Sequence, residues 1–268
     1  MSFLDAFSAS YREARSKFVE AAAAAGAALE SVPHPMTGPA GESLSTDVAW
    51  LGDRDGKAAL VAISATHGAE GFAGSAAQVD WLARGEAERL PAGIGVLLIH
   101  AINPYGFAWL RRVTNENVDL NRNWIDFNKP LPENQHYKAL ASAICPKDWL
   151  GEGRKQADLE LAEFAAAHGK GALQQALSGG QYAHPEGIFY GGSAPTWSRK
   201  TQTAILMEYL KSVSKIGVID FHTGLGPWGL GERIATPPRA SAEFARAARW
   251  YGAGVVSPRD GSSSSLSD

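Results

Sequence analysis

The stretch AALVAISATHGAEGFAG, residues Ala58–Gly74, decides how the rest of the chain can be interpreted. It begins with an apolar run, Ala58–Ile63, of the kind that forms a strand buried on both faces. A glycine-flanked loop with His67 and Glu70 follows, and we predict a helix after it. Loops that leave the carboxyl end of a strand are where open α/β sheets place their ligands. An imidazole and a carboxylate three residues apart can bind one cation together, so the stretch predicts half of a metal site.

The order of apolar runs and amphipathic segments along the chain indicates an α/β fold. The pattern of residues 2–29 predicts an N-terminal helix with Ser2 and Asp5 as its capping pair. The composition of the segment from Pro33 to Glu42 predicts a turn-rich connector. Further strands are predicted over residues 46–51, 58–64, 95–102 and 216–221. Further helices are predicted over residues 71–84, 132–144, 156–168, 171–177, 198–213 and 240–251. No linker or repeat divides the chain, so we expect one domain over residues 1–268, with the helix of residues 1–30 packed on it.

Composition excludes several classes of protein. The chain has 268 residues, a net charge of −3 and no dense Lys/Arg stripe, so we expect no nucleic-acid partner. Its one cysteine, Cys145, excludes an intramolecular disulfide, and we expect a buried, inert thiol in a reducing compartment. No apolar run is long enough to cross a bilayer, and the N-terminus does not read as a signal peptide. We therefore expect a cytoplasmic protein without a membrane partner.

His222 supplies the second half of the predicted metal site. It follows the apolar strand of residues 216–221, as His67 follows its own strand. Two close ligands and one distant ligand are the arrangement of a catalytic zinc site, where the fourth position is left to water. Asp119 and Asp220 are candidates for fixing a ligand ring by accepting its other N–H, although each could equally be a surface or capping carboxylate.

The segment Asn103–Asn123 is a polar loop with the composition of a binding site. It reads NPYGFAWLRRVTNENVDLNRN and combines arginines with several asparagines. An arginine presents a planar fork of donors that matches a carboxylate, and near a metal it can also stabilise an oxyanion. The alternative is a charged loop that only faces solvent. His100, which lies within a predicted strand, is interpreted as a hydrogen-bonded core histidine.

Taken together, these motifs resemble the zinc carboxypeptidase superfamily. The motifs arrive in the order of that superfamily: His67-x-x-Glu70, Asn103-Pro104-Tyr105-Gly106, Arg112, Val118-Asp119-Leu120-Asn121-Arg122-Asn123 and His222. The segments HPMTGPAGE, YAHPEGIFYGGSAPTWS and DFHTGLGPWG are similar to an uncharacterised bacterial branch, a carboxypeptidase-like domain of unknown function. The resemblance covers residues 33–238.

The resemblance implies both a fold and roles for individual residues. The implied fold is a three-layer α/β/α sandwich around a mixed, mostly parallel sheet. His67, Glu70 and His222 would bind Zn²⁺, and Arg112 would polarise the scissile carbonyl. Asn121 and Arg122 would hold the terminal carboxylate of the substrate. Arg112 is preferred to Arg111 because its ten-residue distance from Arg122 matches the compact loop of the superfamily.

One feature of the superfamily is missing from the sequence. Its general-base glutamate lies on a late strand, well after the last zinc ligand. Here only Glu232 and Glu243 follow His222, and neither has a matching context. Either the chain is a fragment that ends before this base, or its chemistry is changed. We expect the first, with the C-terminal part of the domain beyond Asp268.

Three functions remain open from the sequence. The first is a zinc-dependent metallopeptidase that cleaves an amide bond next to a free carboxylate of a small peptide. The second is an N-acyl amino acid deacylase of the aspartoacylase-like kind, suggested by the context Asp220-Phe221-His222-Thr223. The third is a catalytically silent zinc- or peptide-binding protein. The preferred substrate side chain and the oligomeric state are not predicted.

Overall fold

The computed structural model describes residues 3–265. Two compact units divide the chain, Met1–His222 and Thr223–Asp268, and each is considered by itself. The single domain predicted over residues 1–268 stays a prediction. Ser2, half of the predicted N-terminal capping pair, lies outside the described residues.

The first unit contains five strands and eight α-helices among its described residues. The strands are β1 (Ala28–Thr37), β2 (Ser43–Gly52), β3 (Ala58–Ile63), β4 (Ile94–His100) and β5 (Lys215–Asp220). The helices are α1 (Tyr11–Ala24), α2 (Gly71–Ala83), α3 (Pro104–Ala108), α4 (Leu120–Asn123), α5 (Gln135–Ile144), α6 (Glu152–His168), α7 (Lys170–Ser178) and α8 (Trp197–Leu210).

The five strands form one mixed sheet in the order β1-β2-β4-β3-β5. Strand β2 is antiparallel to both of its neighbours, whereas β3 is parallel to β4 and to β5. Four of the five strands therefore run in the same direction. This confirms the prediction of a mixed, mostly parallel sheet.

Helices cover both faces of this sheet, because successive side chains of a strand point to opposite sides. On one face, residues such as Ala49, Ala62 and Leu98 pack in a cluster with Phe18 of α1 and Val79 of α2. On the other face, a second cluster contains Ile205 of α8 together with alternate residues of the same strands, among them Val48, Val61 and Leu97. The fold class is therefore α/β, with the three layers that the sequence predicted.

The N-terminal region differs from its prediction. The helix begins at Tyr11, where the Ser10 side chain accepts a hydrogen bond from the backbone N–H of Glu13, and it ends at Ala24. Residues 28–37, predicted as the end of the helix and a connector, form strand β1. The sequence conceals this strand because Pro33 and Pro35 break the usual pattern. Proline is tolerated there because β1 lies at the edge of the sheet, where not every N–H is needed for pairing.

A small helical cluster lies between the sheet strands β4 and β5 in the chain. Helices α5, α6 and α7 surround buried residues that include Tyr137, Leu140 and Ala176. Cys145 follows α5 directly and is exposed, so the expectation of a buried thiol is wrong. The helix ends at Ile144, one residue before Cys145.

The second unit contains a short parallel pair of strands and one α-helix among its described residues. The elements are β6 (Arg233–Ile234), β7 (Val255–Val256) and α9 (Ala242–Tyr251). The Glu232 carboxylate accepts hydrogen bonds from Ser263 and Ser264. The bonds from Ser264 lower the pKa of Glu232 below its ordinary value, which makes this carboxylate a weak base. None of the helices in residues 3–265 is long and apolar enough to cross a membrane.

Candidate metal centre

The candidate centre lies where strands β3 and β5 end. These parallel strands pair in register up to Ile63 opposite Asp220, so both chains leave the sheet at the same edge. His67 follows β3 by four residues and precedes a single turn of 3-10 helix, Gly68–Glu70. His222 follows β5 by two residues. The topology of the sheet thus brings two distant parts of the chain to one place.

His67, Glu70 and His222 form one compact cluster of possible ligand atoms. His67 Nδ1 lies 2.9 Å from Glu70 Oε1 and 3.2 Å from His222 Nδ1. His222 Nδ1 lies 3.7 Å from Glu70 Oε2. His67 is buried and Glu70 nearly so, whereas the His222 side chain is 33% exposed. The cluster is therefore open to solvent on one side.

These separations match the spacing of ligands around one zinc ion. Zinc binds nitrogen and oxygen ligands at about 2.0–2.1 Å, so two ligands of a tetrahedral ion are about 3.3–3.4 Å apart. The three observed distances lie on both sides of that value. Two imidazoles and one carboxylate are also the donor types that a catalytic zinc ion takes. The residues present fit a zinc ion.

A carboxylate lies behind each imidazole. His67 Nε2 is 3.2 Å from Asp119 Oδ1, and His222 Nε2 is 3.0 Å from Asp220 Oδ2. When a carboxylate accepts the Nε2–H of a histidine, the lone pair is left on Nδ1. Both rings therefore direct Nδ1 to the shared point, and the predicted contacts of Asp119 and Asp220 are confirmed.

The surrounding charges shift two pKa values strongly. Burial acts to lower the pKa of His222, but hydrogen bonds and charges from Asp220 and Glu70 outweigh it and raise this pKa to about 10. Burial alone would raise the pKa of Asp119. Hydrogen bonds and charges from His67 and Arg112 reverse this effect and hold the pKa of Asp119 well below its usual range. The centre is therefore an acidic environment that favours a bound cation.

Arg112 lies beside the cluster because two backbone segments meet there. The N–H groups of Gly68 and Ala69 donate to the carbonyls of Arg112 and Arg111, respectively. Only glycine fits at position 68, because a Cβ there would lie 2.0 Å from the carbonyl carbon of Gly106. The Arg112 guanidinium then donates to Asp119 at 3.0 Å and to Glu70 at 3.4 Å. The neighbouring Arg111 instead donates to the side chain of Asn117.

The two predicted substrate-binding residues lie on the short helix α4. Asn121 has an exposed side chain, and its backbone N–H donates to Asp119 Oδ1 at 2.9 Å. Arg122 donates to the carbonyl of Ser178 at 2.7 Å. Part of the hydrogen-bonding capacity of Arg122 is therefore used within the chain. The structure connects Asn121 to the cluster through Asp119, and it directs at least one N–H of Arg122 towards the end of α7.

Strained backbone is concentrated around the centre. Among residues 3–265, five that are not glycine have a positive φ, including Ala65 (60°), Leu110 (54°) and Phe189 (52°). Ala65 precedes Thr66 and His67, Leu110 precedes the two arginines, and Phe189 packs its ring against Arg112. Residues in this left-handed region cost about 1–3 kcal/mol each and cluster at functional sites.

Two neighbours of the centre were not predicted from the sequence. Thr66 donates from Oγ1 to both oxygens of Asp220, at 2.8 and 3.0 Å. The ring centroid of Phe189 lies 5.1 Å from the guanidinium carbon of Arg112. The position of Thr66 directly before His67 was a signal that could have been used. Phe189 gave no such signal, because 77 residues of folded chain separate it from Arg112 in sequence.

Several solved structures match the chain at low sequence identity. Carboxypeptidase A from Helicoverpa armigera is 13% identical, with a TM-score of 0.46, and the match covers 80% of this chain and 46% of that one. A protein provisionally named succinylglutamate desuccinylase/aspartoacylase, from Shewanella frigidimarina, is 19% identical, with a TM-score of 0.37 and coverages of 74% and 46%. A Zn-dependent exopeptidase from Parabacteroides distasonis is 14% identical, with a TM-score of 0.29 and coverages of 80% and 76%.

The chain thus spans less than half the length of the first two of these proteins. Among curated proteins, none matches the chain. A family match covers residues 7–267, which is nearly the whole sequence. The chain therefore belongs to the family described as "Protein of unknown function (DUF2817)", as the resemblance to a branch of unknown function predicted.

Proposed function

We propose that the chain is a zinc-dependent hydrolase of the carboxypeptidase kind, which cleaves an amide bond next to a free carboxylate. The observation that carries this proposal is the meeting of His67, Glu70 and His222, with Nδ1 of both rings directed to one point. A structural zinc site has a closed set of four protein ligands, often with cysteine. A set of three ligands, partly open to solvent, is the arrangement of a catalytic site.

Each surrounding residue has a role that its position supports. Zinc bound at this cluster would supply an activated water molecule and would polarise a carbonyl. Asp119 holds the His67 ring in one tautomer, and it also orients Arg112. The Arg112 side chain is 40% exposed, so it can meet a substrate and stabilise negative charge on the reacting oxygen.

Recognition of the substrate falls to the helix α4. The exposed amide of Asn121 can donate to a substrate carboxylate, and Arg122 can add a charged donor beside it. Arg122 would have to exchange its bond with the Ser178 carbonyl for one with the substrate. We therefore propose Asn121 as the first contact of the carboxylate, and Arg122 as a second contact formed on binding.

A second candidate, a zinc- or peptide-binding protein without turnover, is favoured by one observation. Among the described residues, the carboxylates in contact with the two imidazoles are Glu70, Asp119 and Asp220. Each already bonds a ring, so none of them has the freedom of a general base. A positioned general base contributes about 10²–10⁴-fold to the rate, so slow turnover would fit this arrangement.

A comparison of three substrates tests the proposal. The zinc-loaded chain is given a peptide with a free C-terminus, the same peptide with an amidated C-terminus, and an N-acyl amino acid. Cleavage of the first alone supports the carboxypeptidase function, and cleavage of the third alone supports an N-acyl amino acid deacylase. Zinc binding without cleavage of any of them supports the binding protein. The Arg112→Lys variant tests the role of Arg112, because it keeps the charge and loses the planar fork of donors, so cleavage by this variant should be slower.

A further inference from the structure

The Thr66 side chain connects the two strand ends that carry the ligands. Thr66 is buried, and its hydroxyl donates to Asp220 Oδ1 at 2.8 Å and Oδ2 at 3.0 Å. Asp220 Oδ2 in turn accepts from His222 Nε2 at 3.0 Å. The hydroxyl belongs to the loop after β3, whereas the carboxylate belongs to the end of β5. This is a side-chain connection between segments 154 residues apart in the chain.

We infer that Thr66 is a positioning residue for the metal ligand His222, and that it acts through Asp220. The inference rests on the proposed zinc site. Thr66 itself does not belong to the ligand cluster, since its hydroxyl is directed to Asp220. Its effect on the metal therefore depends on the orientation of a ring that it does not touch.

Burial alone does not fix the orientation of the Asp220 carboxylate. Its side chain is 31% exposed, so water competes for the carboxylate and the group can rotate. The hydroxyl of Thr66 stabilises the orientation in which Oδ2 faces His222 Nε2. That orientation keeps the proton on Nε2 and leaves the lone pair of Nδ1 for the metal. Charge-assisted hydrogen bonds of this kind are stronger than those between neutral groups, so one hydroxyl can hold the carboxylate.

The two histidines differ in how firmly their carboxylate partners are held. His67 is buried, and its partner Asp119 is fully buried and is held by Arg112 and by the N–H of Asn121. His222 is part of a more exposed pair, so its orientation depends more strongly on each individual hydrogen bond. Removal of the Thr66 hydroxyl should therefore change the orientation of His222 more than that of His67.

The experiment measures the zinc dissociation constant of the 268-residue chain by competition with a chelator of known affinity. Thr66→Val keeps the shape and removes the hydroxyl, whereas Thr66→Ser keeps the hydroxyl. Thr46→Val is the matched control, because the buried hydroxyl of Thr46 donates to the carbonyl of Ala101 instead. Each variant is also unfolded with denaturant, so that a loss of stability is recorded separately from a loss of zinc affinity.

We expect Thr66→Val to bind zinc about 10–100-fold more weakly, which is the usual effect of losing a group that orients a ligand. Thr66→Ser and Thr46→Val should both stay within about threefold of the wild type, well below that effect. In an Asp220→Asn background, Thr66→Val should cause little further loss, because the two residues act in one chain of hydrogen bonds.

Three results would overturn the inference alone. The first is a zinc affinity of Thr66→Val that equals that of the wild type. The second is a loss of zinc affinity in Thr46→Val as large as that in Thr66→Val. The third is a double variant whose loss of zinc affinity is the sum of the losses in Thr66→Val and Asp220→Asn. A wild-type chain that binds no zinc gives a different result: it overturns the proposed function and this inference together.

Discussion

His67 and His222 are 155 residues apart in the chain, yet their Nδ1 atoms lie only 3.2 Å apart. The relationship follows from the parallel pairing of β3 and β5, which releases both loops at one edge of the sheet.

Zinc affinity should rise with pH. The pKa of His222 is raised to about 10 by Asp220 and Glu70, so this ring is an imidazolium at neutral pH and must lose a proton to bind a metal. We expect about one proton to be released per zinc ion at pH 7.5. Titration calorimetry in two buffers with different ionisation enthalpies measures that number. If close to zero protons are released per zinc ion, the His222 ring is already neutral and the prediction is wrong.

Asp119→Asn should weaken both the centre and the fold. The fully buried carboxylate bonds His67 and Arg112, and the amide cannot replace its charge. We expect zinc to bind about 10–100-fold more weakly and the free energy of unfolding to fall by about 3 kcal/mol. Asp126→Asn is the control, because Asp126 is exposed and bonds only locally with Asn128 and Lys129 among the described residues. Equal effects in the two variants would refute this role of Asp119.

The buried His100 should make the fold sensitive to mild acid. Burial lowers its pKa to about 4, while in the unfolded chain the pKa is about 6.5. The unfolded state therefore binds the proton more readily, and stability is fully present above about pH 6.5 and lost as the pH falls towards 4. Compared with His100→Gln, the wild type should lose about 3 kcal/mol more over this range, as measured by denaturant unfolding at several pH values. Parallel pH profiles of the two proteins would contradict this prediction.

The core interpretation of His100 is only half confirmed. Its ring is fully buried, bonds Ser75 from Nε2 at 2.9 Å and stacks on Phe18. Among the described residues, however, no partner reaches Nδ1. The unfilled position explains why protonation of this ring would be costly, since a second buried N–H would have no acceptor.

Leu110→Asn should stabilise the protein. Leu110 has φ of 54° and is 66% exposed, so the leucine combines backbone strain with an apolar surface. Asparagine tolerates the left-handed region far better than leucine. We expect the free energy of unfolding to rise by about 0.5–1 kcal/mol. Leu150→Asn, at a residue that is 96% exposed and has no positive φ, is the control and should change stability little. A destabilised Leu110→Asn would show that the leucine makes a contact that outweighs the strain.

The predictable part of this fold is the part that apolar runs mark in the sequence, whether the strand is buried, as β4 is, or mostly exposed, as β5 is. Strands β2 to β5 follow from apolar runs, and His67, Glu70 and His222 meet because strand ends of one direction share an edge. Strand β1 could not be predicted in this way, since its prolines resemble a connector and only its edge position permits them.

Contacts between distant loops were out of reach for the same physical reason. No local sequence pattern indicates that Arg122 donates to the carbonyl of Ser178, or that Phe189 packs against Arg112. Such contacts depend on how loops cross the end of the sheet, which only the folded chain determines. The sequence leaves Asp119 open between a carboxylate that orients a ring and a capping carboxylate, and only the folded chain shows its contact with His67.

The central claim is that three side chains bind one zinc ion, and zinc stoichiometry tests it most directly. Metal analysis of the purified chain after zinc loading and dialysis should give one zinc per chain for the wild type and for His136→Ala, whose histidine packs against Phe164 and His168 instead. His67→Ala and His222→Ala should each retain far less than one. Stoichiometric, tight zinc in both of these variants would contradict the account.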